Sequence, residues 1–234
     1  MEEKELKTSL KQRIGIIMIA VIMLGSVIAS YAAIVMSGNG SSASGGISEE
    51  KMAQYESEYA EKLAAFRALS ESDYKTFIAN KSVITAYDEA AANAGSVATK
   101  DLVTGSGRTL ESGDTNYLAY YVGWCADGSV FDSSFDDVSE PTAFMKALNA
   151  SQGMIDGWNT GVVGMKLGGV REITLPGKEA YGEQMEICGG YNKPLKFLVM
   201  AVANEDPLKT AASELDTAYM KVQYGYYGID YEAL

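Results

Sequence analysis

The apolar positions fall into three successive regimes. From Ile14 to Met36 the chain reads IGIIMIAVIMLGSVIASYAAIVM, 23 residues without a charge, where about 20 suffice to cross a bilayer core of roughly 30 Å. After Ser48, a natural N-cap, the spacing becomes helical: Met52, Tyr55, Tyr59, Leu63, Phe66 and Leu69 recur every three or four residues. Ser70 and Asp73 have the spacing of a capping box. The pattern therefore predicts a second helix with Tyr74, Phe77, Ile78, Ile84 and Tyr87 as its apolar positions, stopping at Gly95. From Asp101 glycines come every few residues and short β-type runs alternate with turns. Tyr117–Trp124, Gly169–Leu175 and Leu195–Ala203 are predicted strands, and Asp127-Gly128 is a turn signal. Ala143–Leu148 reads as a short strand or a helical turn, and Gln152–Met165 as one helix ended near Gly168-Gly169. Leu208, Ala212, Leu215, Tyr219 and Val222 predict a short helix, followed by the tyrosine-rich acidic end YGYYGIDYEAL.

These regimes organise the chain. Residues 1–13 form a cytoplasmic N-terminus, 14–36 a transmembrane helix and 37–47, reading SGNGSSASGG from Ser37, a flexible tether. Residues 48–96 form a helical stalk or hairpin, 97–205 the main domain and 206–234 an acidic, tyrosine-rich extension. Strands around one helix make the main domain α+β. Lys4, Lys7, Lys11 and Arg13 precede the apolar run, and no Lys or Arg follows it before Lys51. The positive-inside rule then places a single-pass protein in the cell membrane, N-terminus cytoplasmic and main domain outside. A cleaved signal peptide is the competing reading, but its apolar region is ordinarily about 7–15 residues. Both readings export the rest of the chain. The stalk either packs on the main domain or serves as a dimerisation or client-gripping arm.

Composition removes whole classes of chemistry. There is no histidine, so Ser-His-Asp and Cys-His nucleophiles, His-ligated zinc and imidazole acid–base work are all excluded. The net charge of −12 speaks against a nucleic-acid partner, which calls for a basic footprint. Cys125 and Cys188 are too few for a disulfide scaffold or a four-cysteine zinc site; they pair, act singly or fill space. Asp132, Asp136, Asp137 and Glu140 cluster at a turn without EF-hand spacing and read as a solvated loop. Gly164, Gly168 and Gly169 lack the lysine and hydroxyl of a P-loop. No cofactor and no metal are expected.

What remains is a series of aromatic and apolar residues at turns. YVGW at Tyr121–Trp124 is followed by Asp127-Gly128 and by VFDSS from Val130. MIDGW ends at Trp158, with Gly161-Val162 and Gly164-Met165 after it. REITLP runs from Arg171 to Pro176, Ala180-Tyr181-Gly182 follows, and PLKFLV begins at Pro194. In this order and spacing the series resembles the FKBP-type (macrolide-binding) peptidyl-prolyl cis/trans isomerases over about residues 101–203. The resemblance implies a bent antiparallel sheet wrapped around one short helix, with an apolar pocket between them. It implies Trp158 as pocket floor, and Tyr121, Phe131, Phe144 and Phe197 as aromatic walls. Ile155 and Met154 are implied at the rim, the Ile155 N–H facing a substrate carbonyl, with Asp132 at the pocket edge and the Tyr181 hydroxyl on the bound peptide. Two departures stand out. Thr142 follows Pro141 where the family often has an aromatic, and the loop EQMEICGGYNKP lacks the usual Ile-Pro-Pro-like stretch, leaving Ile187, Cys188 or Tyr191 to make that contact.

The implied partners are proline-containing polypeptide clients, exported proteins whose folding the isomerase assists, and macrolide inhibitors. The reaction suits a chain without histidine, because twisting an amide needs neither proton transfer nor covalent attack. A second reading keeps the same pocket and the helical arm as a non-catalytic proline-peptide-binding chaperone or assembly module.

Overall fold

The computed structural model describes residues 47–135 and 143–234. The apolar run 14–36, its flanks, and Asp136, Asp137, Glu140, Pro141 and Thr142 lie outside the described residues. Among the described residues no helix is long and apolar enough to cross a membrane.

The centre of the fold follows from two strands that are almost wholly apolar, Lys196 being their one charged position. β2 (Tyr117–Trp124) and β6 (Leu195–Ala203) pair antiparallel over their whole lengths, from Tyr117 opposite Ala203 to Trp124 opposite Lys196. A strand buried on both faces has to sit mid-sheet between two covering layers. β5 (Val170–Leu175) flanks β6, and β1 (Ala98–Val103) forms the edge. β3 (Val130–Ser133) flanks β2 on the other side, and the two-residue β4 (Leu148–Asn149) also pairs with β2. The sheet is antiparallel throughout. β1 and β3 carry no apolar alternation. They are edge strands recruited by register rather than by pattern.

Alternation along β2 and β6 splits the core in two. Leu118, Tyr120, Val122 and Trp124 point to one face with Leu198, Met200 and Val202. Tyr117, Ala119 and Tyr121 point to the other with Phe197, Val199 and Ala201.

Helices cover the first face. α1 (Glu49–Ile78) is one helix of 30 residues, so the predicted break at Ser70 does not occur. Ser48 caps its start, accepting from the Lys51 N–H at 3.2 Å. Ser70 donates to the Phe66 carbonyl one turn back at 2.9 Å instead of capping a new helix. The reason is that the apolar stripe stays in phase: Phe66, Ser70 and Phe77 are all buried against the sheet. Beyond it the chain makes a 3₁₀ turn, Lys81–Val83, and then a short helix α2 (Glu89–Ala94), capped by Asp88 and ended at Gly95. The C-terminal helix α4 (Leu208–Tyr226) is 19 residues long rather than short, and it packs along α1. Tyr59 meets Tyr219 at 6.2 Å, and Lys221 bridges to Glu58 at 2.8 Å. The end of the chain folds back onto α1 through hydrogen bonds of Tyr55 to Asp230 and of Lys51 to Glu232.

Among the described residues the second face is covered by the short α3 (Asp156–Gly161), six residues preceded by a 3₁₀ turn at Ala150–Gln152. The helix predicted over 152–165 is thus cut to its middle. Gly153, at φ 91°, separates the two pieces in a conformation other residues avoid.

Candidate active site

The short helix is set on the sheet by one buried cation. Arg171 of β5 is 5% exposed. Its Nη1 donates to the carbonyls of Gly161 and Val163, both at 2.9 Å, at the end of α3. Its Nε and Nη2 grip Asp101 of β1 at 2.6 and 3.0 Å. A cation on the last carbonyls of a helix satisfies acceptors the helix leaves open and meets the negative end of its dipole.

With α3 held there, Trp158 lies flat on the interior, 1% exposed, its Nε1 donating to the Tyr117 hydroxyl at 2.9 Å. Around it the rings stand on edge. Tyr121 meets Trp158 at 5.8 Å and 88°, Phe197 meets Trp158 at 5.4 Å and 82°, and Phe131 meets Phe197 at 5.6 Å and 89°. Edge-to-face pairs of this kind are favourable beyond their area. Gly123 makes the arrangement possible. A Cβ there would stand 2.5 Å from Phe131 Cζ and 2.8 Å from Phe197 Cε1.

Trp158, Tyr121 and Phe197 form the buried floor. Phe131, Met154, Ile155, Tyr181 and Ile187 are half-buried and pack against the same cluster, as a rim does.

Polar groups concentrate at one edge. Asp132, its side chain 10% exposed, accepts from the Tyr121 hydroxyl, from the Ser133 N–H at 2.8 Å and from Lys146 Nζ at 3.0 Å. The Lys146 ammonium also sits 5.6 Å from the centre of the Tyr121 ring. Burial, and then the Asp132 charge, hold the Tyr121 hydroxyl well above its ordinary pKa. Burial likewise pushes Tyr181 up to about 12, with Asp132 adding to it. Both hydroxyls therefore remain protonated donors at any physiological pH. Two donors beside this cluster are unspent: among the described residues neither the Tyr181 hydroxyl nor the Ile155 N–H has a protein acceptor.

Phe144 is a correction. It lies on the opposite face, stacked on Tyr120 at 3.8 Å and packed edge-on against Tyr74 and Phe77. The bridge of Phe144 to Phe135 fixes this side, because one residue of register reverses a side chain's face. Tyr191 is 54% exposed, outside the aromatic cluster. A cavity of about 330 Å³ lies on the helix face, lined by Arg67, Ser70, Glu71, Tyr74, Lys75 and Phe144; the aromatic floor does not border it.

Sequence reading missed Lys146, Tyr117 and Arg171. Each acts through a long-range partner, 14, 41 and 70 residues away, and no local spacing announces such pairs. The open question of the cysteines is resolved: Cys125 and Cys188 form a disulfide, with Cα atoms 5.5 Å apart. Among the described residues no group of three or more acidic or cysteine side chains is arranged to hold a metal ion.

Comparison with known proteins shows the family. The family model of the FKBP-type peptidyl-prolyl cis-trans isomerases matches residues 107–201. The FK506-binding protein of Neisseria meningitidis serogroup A is 35% identical over 108 residues, 46% of this chain and 93% of that protein.

The chain belongs to the FKBP-type peptidyl-prolyl cis-trans isomerase family.

Other FKBP-type relatives cover different shares. The FK506-binding protein of Streptomyces anulatus is 38% identical, over 38% of this chain and 68% of its own. FK506-binding protein 4 of Gibberella zeae is 38% identical over 89 residues, and the chain spans only 17% of that protein. Among solved structures, AtFKBP13 is 28% identical with a TM-score of 0.35, covering 46% of this chain and 91% of its own. The matched residues hold β2 to β5, α3 and most of β6; α1, α2, β1 and α4 lie outside them.

Proposed function

We propose that this FKBP-type protein isomerises X-Pro bonds of exported polypeptides, using the Trp158 face as its pocket, from a position anchored outside the cell membrane. X-Pro amides differ by only about 0.5–1 kcal/mol between isomers, yet interconvert over a barrier of about 18–20 kcal/mol because twisting breaks resonance. A catalyst needs only to bind the twisted amide better than either planar form.

The residues are suited to that task. The Trp158, Tyr121 and Phe197 rings accept the pyrrolidine ring. The planar amide is the more charge-separated form, so an apolar surround disfavours it relative to the twisted one. The Ile155 N–H and the Tyr181 hydroxyl hold peptide carbonyls on either side. Asp132, tied to Tyr121, Ser133 and Lys146, keeps the rim in shape and moves no proton. The observation that carries the reading is the edge-to-face floor beneath two donors left without protein acceptors. The long helix α1 buries its apolar stripe on the sheet, which speaks against a free client-gripping arm.

The anchor rests on the uncharged run 14–36 and the basic residues before it. Macrolides are proposed as competitors for the same aromatic face.

The test measures X-Pro isomerisation by the detergent-solubilised full chain and by the Trp158→Leu and Phe131→Leu variants. Acceleration that falls at least about tenfold when either ring, Trp158 of the floor or Phe131 of the rim, is lost supports the reading. A folded chain without acceleration, or variants with full activity, refutes it. Protease added to intact cells is expected to digest the main domain; protection until lysis refutes the orientation.

A further inference from the structure

The segment from Tyr181 to Lys193 forms the outer side of the aromatic face. Its base is well held. Asn192 N–H donates to the Gly182 carbonyl at 2.7 Å, and Gly182 N–H to that of Gly177 at 2.9 Å. Asn93 of α2 accepts from the Gly177 N–H at 2.7 Å and donates to the Asn192 carbonyl at 3.2 Å.

The tip, residues 183–190, has no such support. Among the described residues its backbone hydrogen bonds all close within residues 181–190: Gln184 to Tyr181 at 3.1 Å, and Ile187 with Gly190 at 2.9 and 3.2 Å. The two residues at the centre of that last pair, Cys188 and Gly189, have φ of 55° and 77°. This is the backbone of a tight two-residue hairpin turn, and a residue with a Cβ in its first place works against it. Yet Ile187 and Cys188 lie half-buried against the Trp158 cluster.

One covalent bond spans the gap. Cys188 is joined to Cys125, which is 6% exposed and directly follows β2. Cys125 is itself rooted, donating to the Ser129 carbonyl at 2.8 Å and accepting from the Gly128 N–H at 2.9 Å. The turn it opens leads into β3, which carries Phe131 and Asp132. The disulfide therefore ties the loop that bears Ile187 to the hairpin that bears the opposite rim.

We propose that Cys125 and Cys188 are positioning residues: their disulfide holds residues 183–190 so that Ile187 meets the side chain preceding proline in a bound client, and selectivity at that position exists only in the oxidised protein. The proposal rests on the isomerase reading of the site. Reduction by a dithiol breaks the S–S bond and delivers two electrons and two protons, leaving two thiols and the dithiol closed to its own disulfide. The tip is then held only by the packing of its half-buried side chains, Ile187 among them, and the wall it makes is lost.

The experiment compares the full chain in detergent in oxidised form, after dithiothreitol, and as the double variant Cys125→Ser with Cys188→Ser. Isomerisation is measured on peptides with leucine or alanine before proline, together with amide exchange of the same samples. Loss of one apolar wall is expected to lower kcat/KM about tenfold for the leucine peptide and less than about twofold for the alanine peptide. Exchange of residues 183–190 quickens while β2 and β6 stay protected, and reoxidation restores both. Ile187→Ala in the oxidised chain is expected to show the same selectivity loss. Equal losses on both peptides, unchanged exchange at the tip, or two titratable thiols in the unreduced protein overturns the proposal. An oxidised chain inactive on every peptide overturns the isomerase reading instead, and tip exchange still decides whether the disulfide holds the loop.

Discussion

The two faces of one sheet are built from alternate residues of the same strands, and they are finished in opposite ways. The helix face is closed. Two helices of 30 and 19 residues lie on it, and Phe66, Phe77, Tyr120 and Phe144 are each fully enclosed. The Trp158 face carries far less helix. A six-residue helix supports it, its rings stand on edge, and its rim keeps hydroxyl and amide donors free of protein acceptors. Large helices supply the apolar burial that a small domain needs. The face that stabilises and the face that binds are physically separate, yet they share a backbone only one sheet thick.

Four measurements break or sharpen that separation. The largest effect belongs to the helix face. Phe77→Ala empties a fully enclosed ring site and is expected to lower stability by about 3–5 kcal/mol in urea titration, with kcat/KM retained where the chain is still folded. Lost activity in the folded variant would mean that the faces are coupled.

Arg171→Met comes next. It strands the carbonyls of Gly161 and Val163 and leaves Asp101 without its partner, an expected loss of about 3 kcal/mol. The two tryptophans, Trp124 on the helix face and Trp158 on the pocket face, separate the responses. In a Trp124→Phe background the remaining fluorescence should change with Arg171→Met, whereas in a Trp158→Phe background it should hardly move.

Gly123→Ala is confined to the pocket. The added Cβ meets Phe131 and Phe197, an overpacking expected to cost about 1–3 kcal/mol in stability together with a loss of kcat/KM. Unchanged kinetics would show that the two rings do not shape the bound state.

The smallest effect is one of pH. Tyr181 has its pKa raised in the folded protein, to about 12, chiefly by burial, against about 10 when unfolded. Its contribution to stability is therefore fully present below about pH 10 and is lost as pH rises towards 12. Between pH 6 and 9 this hydroxyl makes no change to kcat/KM. Ultraviolet titration of the protein against Tyr181→Phe checks the window, and a tyrosine titrating near 8 in the difference would refute it.

Parts of this were legible in the residues themselves. β2 and β6 were readable because strands buried on both sides are apolar at nearly every position. The floor was readable as a resemblance, because YVGW, VFDSS and MIDGW keep their order. Phe144 was misassigned because its bridge to Phe135 decides its side, and composition carries no information about that. The unbroken α1 was hidden by Ser70, a residue whose hydroxyl can cap a new helix or bond back within an old one. Only the neighbouring sheet selects the second option.

By itself the sequence determined the absence of imidazole chemistry, the uncharged run 14–36, the two almost wholly apolar central strands and the ordered series of pocket residues, because composition and short-range period are properties of the chain alone. Only the tertiary structure decided which face Phe144 joins, that Arg171 ends α3, that Lys146 meets Asp132 and that Cys125 reaches Cys188. Each of those facts joins segments far apart in the chain, and their distance is set by how the sheet curves and pairs, which no local spacing encodes.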